Sequence, residues 1–356
     1  MPRKRVAPTE ASPIITMSGM PPVPKFSDRG VIMRVMSDGH PSSVRTVVPT
    51  GIDVIDNYLL VNGGIALGRI YELSGPETSG KTTFGAHLIA AFQRAGGIGL
   101  VLENEEAFDG ARYEQMGVNT DLAHIGRAPT IESVFSTAGK WALDMRASGF
   151  KGPLTCVWDT LAATPTIKEL AAGLTPKEVK EREMAAETED DGDDSDDGVG
   201  KGDKKGKAGM DDRAKVISGG LRKLPKILVD TQMALVVLNQ VRDNIGVMFG
   251  DKMMSPGGRA LRHHTSVRLR YYGVGKSISD DDTRGQQNKL WVLKNKLGDS
   301  MRKNASTRLL FGQGYDNDWM TLTHAKEMRL VPQDAKGAEG LALAKAALAA
   351  RGWGAR

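Results

Sequence analysis

Gly75-Pro76-Glu77-Thr78-Ser79-Gly80-Lys81-Thr82 is a complete G-x-x-x-x-G-K-T stretch. The residues on either side give it the setting that its chemistry needs. Before it, the short β-like run Arg69–Leu73 predicts a strand. After it, Phe84, Leu88, Ile89 and Phe92 recur at helical spacing through Thr82–Ala95, until Gly96-Gly97 ends the run. Between a strand and a helix, the glycines let the backbone wrap close to phosphates. Amide hydrogens and the helix N-terminus favour negative charge there, Lys81 reaches the β- and γ-phosphates, and Thr82 can hold Mg²⁺. A chance glycine-rich turn would lack this placement, so the stretch predicts a nucleoside triphosphate site.

Further runs of the same kind lie downstream: Ile98–Leu102, Leu154–Trp158, Ala234–Leu238 and Val267–Tyr272. Most are short and apolar, as in strands covered on both faces. The repeated strand, helix, strand order predicts an α/β fold with a mostly parallel sheet flanked by helices. The 356 residues, 40% hydrophobic and 26% charged, allow two domains or one large core with appendages. Six prolines in the first 25 residues mark a polar arm outside the fold, with a lead-in segment over 26–50. The core is expected over 51–312, and 313–356 is expected to be a short C-terminal region in which only Leu341–Ala350 reads clearly as helix.

Charge is distributed unevenly. The 48 basic and 43 acidic residues give +5, yet residues 187–197 hold eight carboxylates and no base. Without those eight the balance rises to +13, which suits a polyanion such as nucleic acid. Residues 187–209 contain no large apolar side chain except Val199, so they predict an insertion that cannot offset its ordering entropy by burial. Asp193, Ser195, Asp197 and Gly198 imitate the start of a calcium loop, but position twelve is Lys204 and flanking helices are missing. The single Cys156 excludes an internal disulfide and a cysteine-rich zinc site. The chain has no apolar run long enough for a membrane span and no signal-peptide pattern, so a cytoplasmic location is expected.

Phosphate chemistry also needs a carboxylate near the metal and a group to orient the attacking water. Asp159 ends the run Leu154–Trp158, where a parallel strand would bring it beside the phosphate loop; a surface turn is the plainer alternative. Glu103, Asn104, Glu105 and Glu106 follow Ile98–Leu102, and composition does not choose among the three glutamates. Lys294 and Lys296 flank one residue, so on a strand both point to one face.

Several blocks together, namely GRIYELSGPETSGKTT, RKLPKIL, LNQVRDNIGVMFG, GGRALRHHTSVRLR and KNK, resemble bacterial RecA recombinases in the same order. The resemblance covers about residues 26 to 312, with GVIMRV and PTGIDVID included. It implies a RecA-type P-loop ATPase core using ATP and Mg²⁺. It assigns Gly75 to Thr82 and Thr83 to the nucleotide, Glu105 to water activation, and Thr82 and Asp159 to the metal. Asp109 takes the adenine-contacting place, Arg112 falls where the family stacks a tyrosine, and Phe311 is the second aromatic. Gln240 matches the γ-phosphate sensor, and Lys294 and Lys296 match lysines that cross to a neighbour's γ-phosphate, which implies a homo-oligomeric helical filament.

For DNA, single-stranded and double-stranded, the resemblance implies two loops. Arg242, Ile245, Gly257 and Gly258 belong to the second, and Met210 keeps the base-contacting place in the first. Ser218, Arg222 and Lys223 match phosphate-contacting residues on a predicted helix, and Lys226 shares that helix, where a solvated face is the plainer reading. His263 departs from the family, which has an apolar interface residue there. A recombinase is the expected function; a hexameric motor on the same core and a scaffold mediator are the alternatives.

Overall fold

A computed structural model describes residues 46–105, 108–172, 208–243, 253–254, 256–280, 283–300 and 303–353. The chain divides into Met1–Ser43 and Val44–Arg356, and every described residue belongs to the second unit. The Pro-rich arm, most of the lead-in segment, the acidic run 187–197 and Ile245 therefore lie outside the described residues.

The elements, in chain order, begin with β1 (Val47–Val48), a single turn of π-helix (Val54–Leu59), β2 (Ile65–Ala66), β3 (Ile70–Gly75), α1 (Lys81–Arg94) and β4 (Ile98–Glu103). They continue with α2 (Gly110–Gln115), β5 (Ala123–Gly126), α3 (Ile131–Ala147), β6 (Leu154–Asp159), α4 (Ile167–Ala171), α5 (Ala208–Thr231) and β7 (Met233–Gln240). After β8 (Arg242–Asp243), β9 (Met253–Met254) and α6 (Gly258–His264) come β10 (Val267–Asp280), β11 (Thr283–Asn295), β12 (Asn304–Leu310), β13 (Gly314–Tyr315), α7 (Asn317–Glu327) and α8 (Gly337–Ala349).

Nine strands of the described residues form one sheet in the order β13-β12-β11-β10-β3-β7-β6-β4-β5. From β10 to β5 every neighbouring pair is parallel, while β10 through β13 pair antiparallel. The expected α/β fold with a mostly parallel sheet between helices is borne out. Side chains alternate across each central strand, so Val101, Val157, Val236 and Leu238 pack with Phe84, Leu88, Ile89 and Phe92 of α1 on one face. On the other face Leu100, Leu102, Cys156, Trp158, Leu235 and Val237 meet Ile131, Val134 and Ala138 of α3 and Ile217, Leu221, Leu224 and Leu228 of α5.

Register is what concentrates the chemistry. Glu103 lies opposite Asp159, and Gly75 opposite Gln240, so four strand ends reach one edge of the sheet together. That edge is the carboxyl end of a parallel sheet, where α/β proteins place their ligands.

Residues 313–353 hold more structure than their composition predicts. Besides α8, the helix α7 forms, with Asp316 as its N-cap accepting from the Trp319 amide at 3.0 Å. Ala325, Val331, Ala344 and Leu348 make a small core of their own. Asn317 Oδ1 accepts from the Asp53 amide at 2.8 Å, and buried His324 lies between the rings of Tyr58 and Trp353, so α7 is fixed to the π-turn. The sequence hides α7 because its apolar residues do not gather on one stripe.

Candidate active site

The phosphate loop takes its shape from two backbone positions with positive φ, Thr78 at 57° and Gly80 at 97°. Gly80 is the residue before α1, and a side chain there would be strained whatever the space. Lys81 opens α1 and is 7% exposed; its Nζ donates to the carbonyls of Gly75 at 3.2 Å and Pro76 at 2.6 Å. Burial lowers the Lys81 pKa, and the charges of Asp159, Glu105 and Glu77 oppose that shift.

Next to Lys81, Thr82 Oγ1 donates to Asp159 Oδ2 at 2.7 Å. Asp159 is 3% exposed, and burial pushes its carboxyl up to about 6; the charge on Glu105 adds to this, while the Thr82 hydroxyl and Lys81 counter it. Its other oxygen, Oδ1, is buried with no hydrogen-bond partner among the described residues. A hydroxyl beside a carboxylate with an unsatisfied oxygen is a donor set of the kind that Mg²⁺ takes, so these residues fit the metal.

The glutamates separate by what they touch. Glu105 Oε1 accepts from Thr160 Oγ1 at 2.8 Å and from Gln240 Nε2 at 3.5 Å, joining the ends of β4, β6 and β7. Glu103 turns back, and its Oε1 accepts from the Glu105 amide at 2.7 Å. Glu106 lies outside the described residues. Asn104 anchors the turn, donating to Thr164 Oγ1 at 2.6 Å and accepting from the Ala128 amide at 3.3 Å.

These groups surround a cleft of about 550 Å³ lined also by Glu77, Thr78, Arg112, Gln286, Leu309 and Phe311. Phe311 is 60% exposed in it, and Arg112 Nη2 donates to Thr83 Oγ1 at 2.9 Å. Asp109 caps α2 by accepting from the Ala111 amide at 3.0 Å. Of the residues that sequence assigned to the nucleotide, Gly75, Pro76, Ser79, Thr83 and Asp109 do not line this cleft, nor do Lys294 and Lys296. Lys294 Nζ donates to the carbonyls of Arg262 and, at 3.0 Å, His263, and Lys296 Nζ donates to His263 O at 3.2 Å. Burial, with the nearby charges of Lys296 and Arg268, pushes Lys294 down to about 8.

The candidate DNA residues lie on α5 and at the roots of the second loop. Leu221, Leu224 and Leu228 face the core while Arg222, Lys223 and Lys226 are exposed; Arg222 Nη2 donates to Ser218 Oγ at 3.4 Å, and Lys226 pairs with Asp230 at 2.5 Å. Met210 lies in the first turn of α5, and Arg242 in β8, which pairs with β9. Gly257 has φ 101° and precedes α6, where a Cβ would come within 3.0 Å of both Leu261 and Leu161. Gly258, the first residue of α6, has φ 58°.

Sequence reasoning missed Thr160, Gln286, Asn288 and a buried polar cluster. In that cluster Glu72 of β3 pairs with Arg268 and accepts from Asn239 Nδ2 at 3.1 Å, while Asn239 Nδ2 also donates to Pro256 O at 2.8 Å. The one available signal was polar residues placed where a strand should be buried, as in Tyr71-Glu72-Leu73 and Gln286-Gln287-Asn288.

Comparison with known proteins gives a family. The RecA N-terminal domain profile matches residues 18–141 and 199–316. The chain belongs to the RecA family. It is 32% identical to Protein RecA of Bacteroides thetaiotaomicron over 312 residues, covering 88% of this chain and 82% of that one. It is 30% identical to Protein RecA of Heliobacterium modesticaldum over 310 residues, 87% of this chain and 78% of the relative. Protein RecA of Symbiobacterium thermophilum is also 30% identical, over 296 residues that make 83% of this chain and 73% of its own. Residues 142–198, between the two matched spans, hold β6 and the acidic run of this RecA-family chain. No helix among its described residues is long and apolar enough to cross a membrane.

Proposed function

We propose that this chain is an ATP-dependent recombinase, which assembles on single-stranded DNA as a helical filament, pairs it with homologous duplex and hydrolyses ATP with Mg²⁺. The observation that carries this reading is the convergence of Lys81, the Thr82–Asp159 pair and the Glu105–Thr160–Gln240 linkage on one cleft beside the phosphate loop. Membership of the RecA family supports it at the level of the whole chain.

In this reading Lys81 neutralises charge on the transferring phosphoryl group, and the amides of the phosphate loop hold the β- and γ-oxygens. Thr82 and Asp159 would hold Mg²⁺, which would supply positive charge against the charge that develops on the phosphoryl group. Glu105 orients and deprotonates the attacking water, its carboxylate held in place by Thr160 and Gln240. Gln240 then has two tasks, because β7 continues straight into the second DNA loop. Lys294 and Lys296 serve the nucleotide of an adjacent subunit, which makes hydrolysis depend on assembly. Arg112 and Phe311 flank the base, and Asp109 contacts it. Along the filament axis Arg222, Lys223 and Arg242 meet phosphates, Ser218 stands one turn before Arg222, and Met210, Ile245, Gly257 and Gly258 meet DNA through the two loops.

The decisive test pairs hydrolysis with imaging. Lys81→Ala should abolish ATP hydrolysis, and wild-type protein with an ATP analogue and single-stranded DNA should form helical filaments in negative stain. Hydrolysis near wild type in Lys81→Ala would refute the phosphate-loop assignment. Closed rings would select a hexameric motor instead.

A further inference from the structure

The phosphate loop is held from the side by a strand more than two hundred positions away. Gln286 Nε2 on β11 donates to Thr78 O at 2.9 Å, and Asn288 Nδ2 donates to Ser79 O at 3.1 Å. Residues two apart on a strand share a face, so both amides reach two consecutive carbonyls of one loop. Each of the two residues is only 8% exposed. Asn288 Oδ1 is buried with no hydrogen-bond partner among the described residues. An apolar side chain of the same shape would avoid that desolvation cost, so the amide is retained for its one satisfied contact, the carbonyl of Ser79.

We propose that Gln286 and Asn288 are positioning residues that preorganise the phosphate loop for its nucleotide. Within a trans peptide the C=O and N–H point in opposite directions. Holding the Thr78 and Ser79 carbonyls toward β11 therefore turns the amides of Ser79 and Gly80 away from it. The backbone here needs such a restraint, because Thr78 is a non-glycine residue at φ 57° and Gly80 follows at 97°. Without the clamp, the loop would lose conformational freedom at the moment of binding, and affinity would fall by that amount.

The inference rests on the cleft being an ATP site, and its test separates the two. Gln286→Met and Asn288→Leu keep volume and remove the donor. On the full chain, titration with ATP and Mg²⁺ should show Kd raised roughly two- to ten-fold in each single variant, one lost hydrogen bond apiece, and further in the double variant. In steady-state hydrolysis the loss should fall on KM more than on kcat, as for groups that act on binding. The nucleotide-free melting temperature reports folding, and if the double variant does not fold the single variants decide. A folded double variant with wild-type Kd would overturn the clamp alone. So would an intact KM with a reduced kcat. A wild-type chain that binds no ATP would overturn the nucleotide reading and the clamp together.

Discussion

At the scale of single residues, the strand end Glu103-Asn104-Glu105 shows how neighbouring identical side chains take different tasks. Glu105 faces the cleft and is held by Thr160 and Gln240, whereas Glu103 caps the Glu105 amide. Glu105→Gln should keep ATP affinity and slow turnover by about 10²- to 10⁴-fold, the usual worth of a general base. Glu103→Gln should slow it far less. Single-turnover hydrolysis of both variants checks the assignment, and a slow Glu103→Gln beside a fast Glu105→Gln would reverse it. His87 carries a separate, structural prediction. Its Nε2 lies 2.9 Å from Thr50 O, and burial lowers its pKa from 6.5, a shift that the Thr50 carbonyl opposes and Arg94 reinforces. Below pH 6.5 the unfolded chain therefore binds a proton that the folded chain resists, so this contribution to stability is present above 6.5 and is lost as pH falls. Asp56 has the opposite sign, since burial pushes it up to about 6 and the folded chain binds the proton more tightly. Denaturant melts of wild type and His87→Gln at pH 5.5 and 7.5 isolate the histidine, because Asp56 is common to both. The variant should show the smaller loss on acidification.

At the scale of elements, the contact of α3 with α5 matters because α5 carries Arg222 and Lys223. Gly220 permits the close approach, since a Cβ there would come within 2.1 Å of the Phe135 ring, which itself packs edge-on against Trp158. Gly219, one residue earlier, would meet nothing within 4 Å among the described residues. Helix propensity favours alanine over glycine by about 0.8–1.0 kcal/mol at both sites, but overpacking costs about 1–3 kcal/mol at the second. Gly219→Ala should therefore stabilise the fold and Gly220→Ala destabilise it, a difference of sign between adjacent residues. Urea denaturation curves resolve both changes. Equal effects at the two positions would mean that α5 does not approach α3 through Gly220.

At the scale of the whole molecule, one chain does not assemble all the cations that the proposed chemistry uses. Lys294 and Lys296 bind the carbonyls at the end of α6 and do not line the cleft that holds Lys81 and Glu105. Lys294→Ala and Lys296→Ala should leave the fold intact and lose DNA-stimulated ATPase. Mixed with Glu105→Gln subunits, either variant should regain activity, because some interfaces then join an intact cleft to intact lysines. Mixtures no more active than their separate components would refute action in trans.

The stretch Gly75–Thr82, its strand and its helix were legible because phosphate binding uses contiguous residues, and because amphipathic periods are local. Helices on both faces of the sheet followed from strand runs that are mostly apolar and alternate with helical ones. Asp159 was already a candidate from its place at a strand end. Among the glutamates the resemblance alone singled out Glu105; the pairing of β4 with β6 and of β6 with β7 adds the contacts of Thr160 and Gln240 with it. The amide clamp from Gln286 and Asn288, the Glu72–Arg268–Asn239 cluster and the anchoring of α7 were decided by tertiary structure alone. Each joins residues far apart in the chain, and a hydrogen bond made across a sheet leaves no period or motif in either segment that makes it.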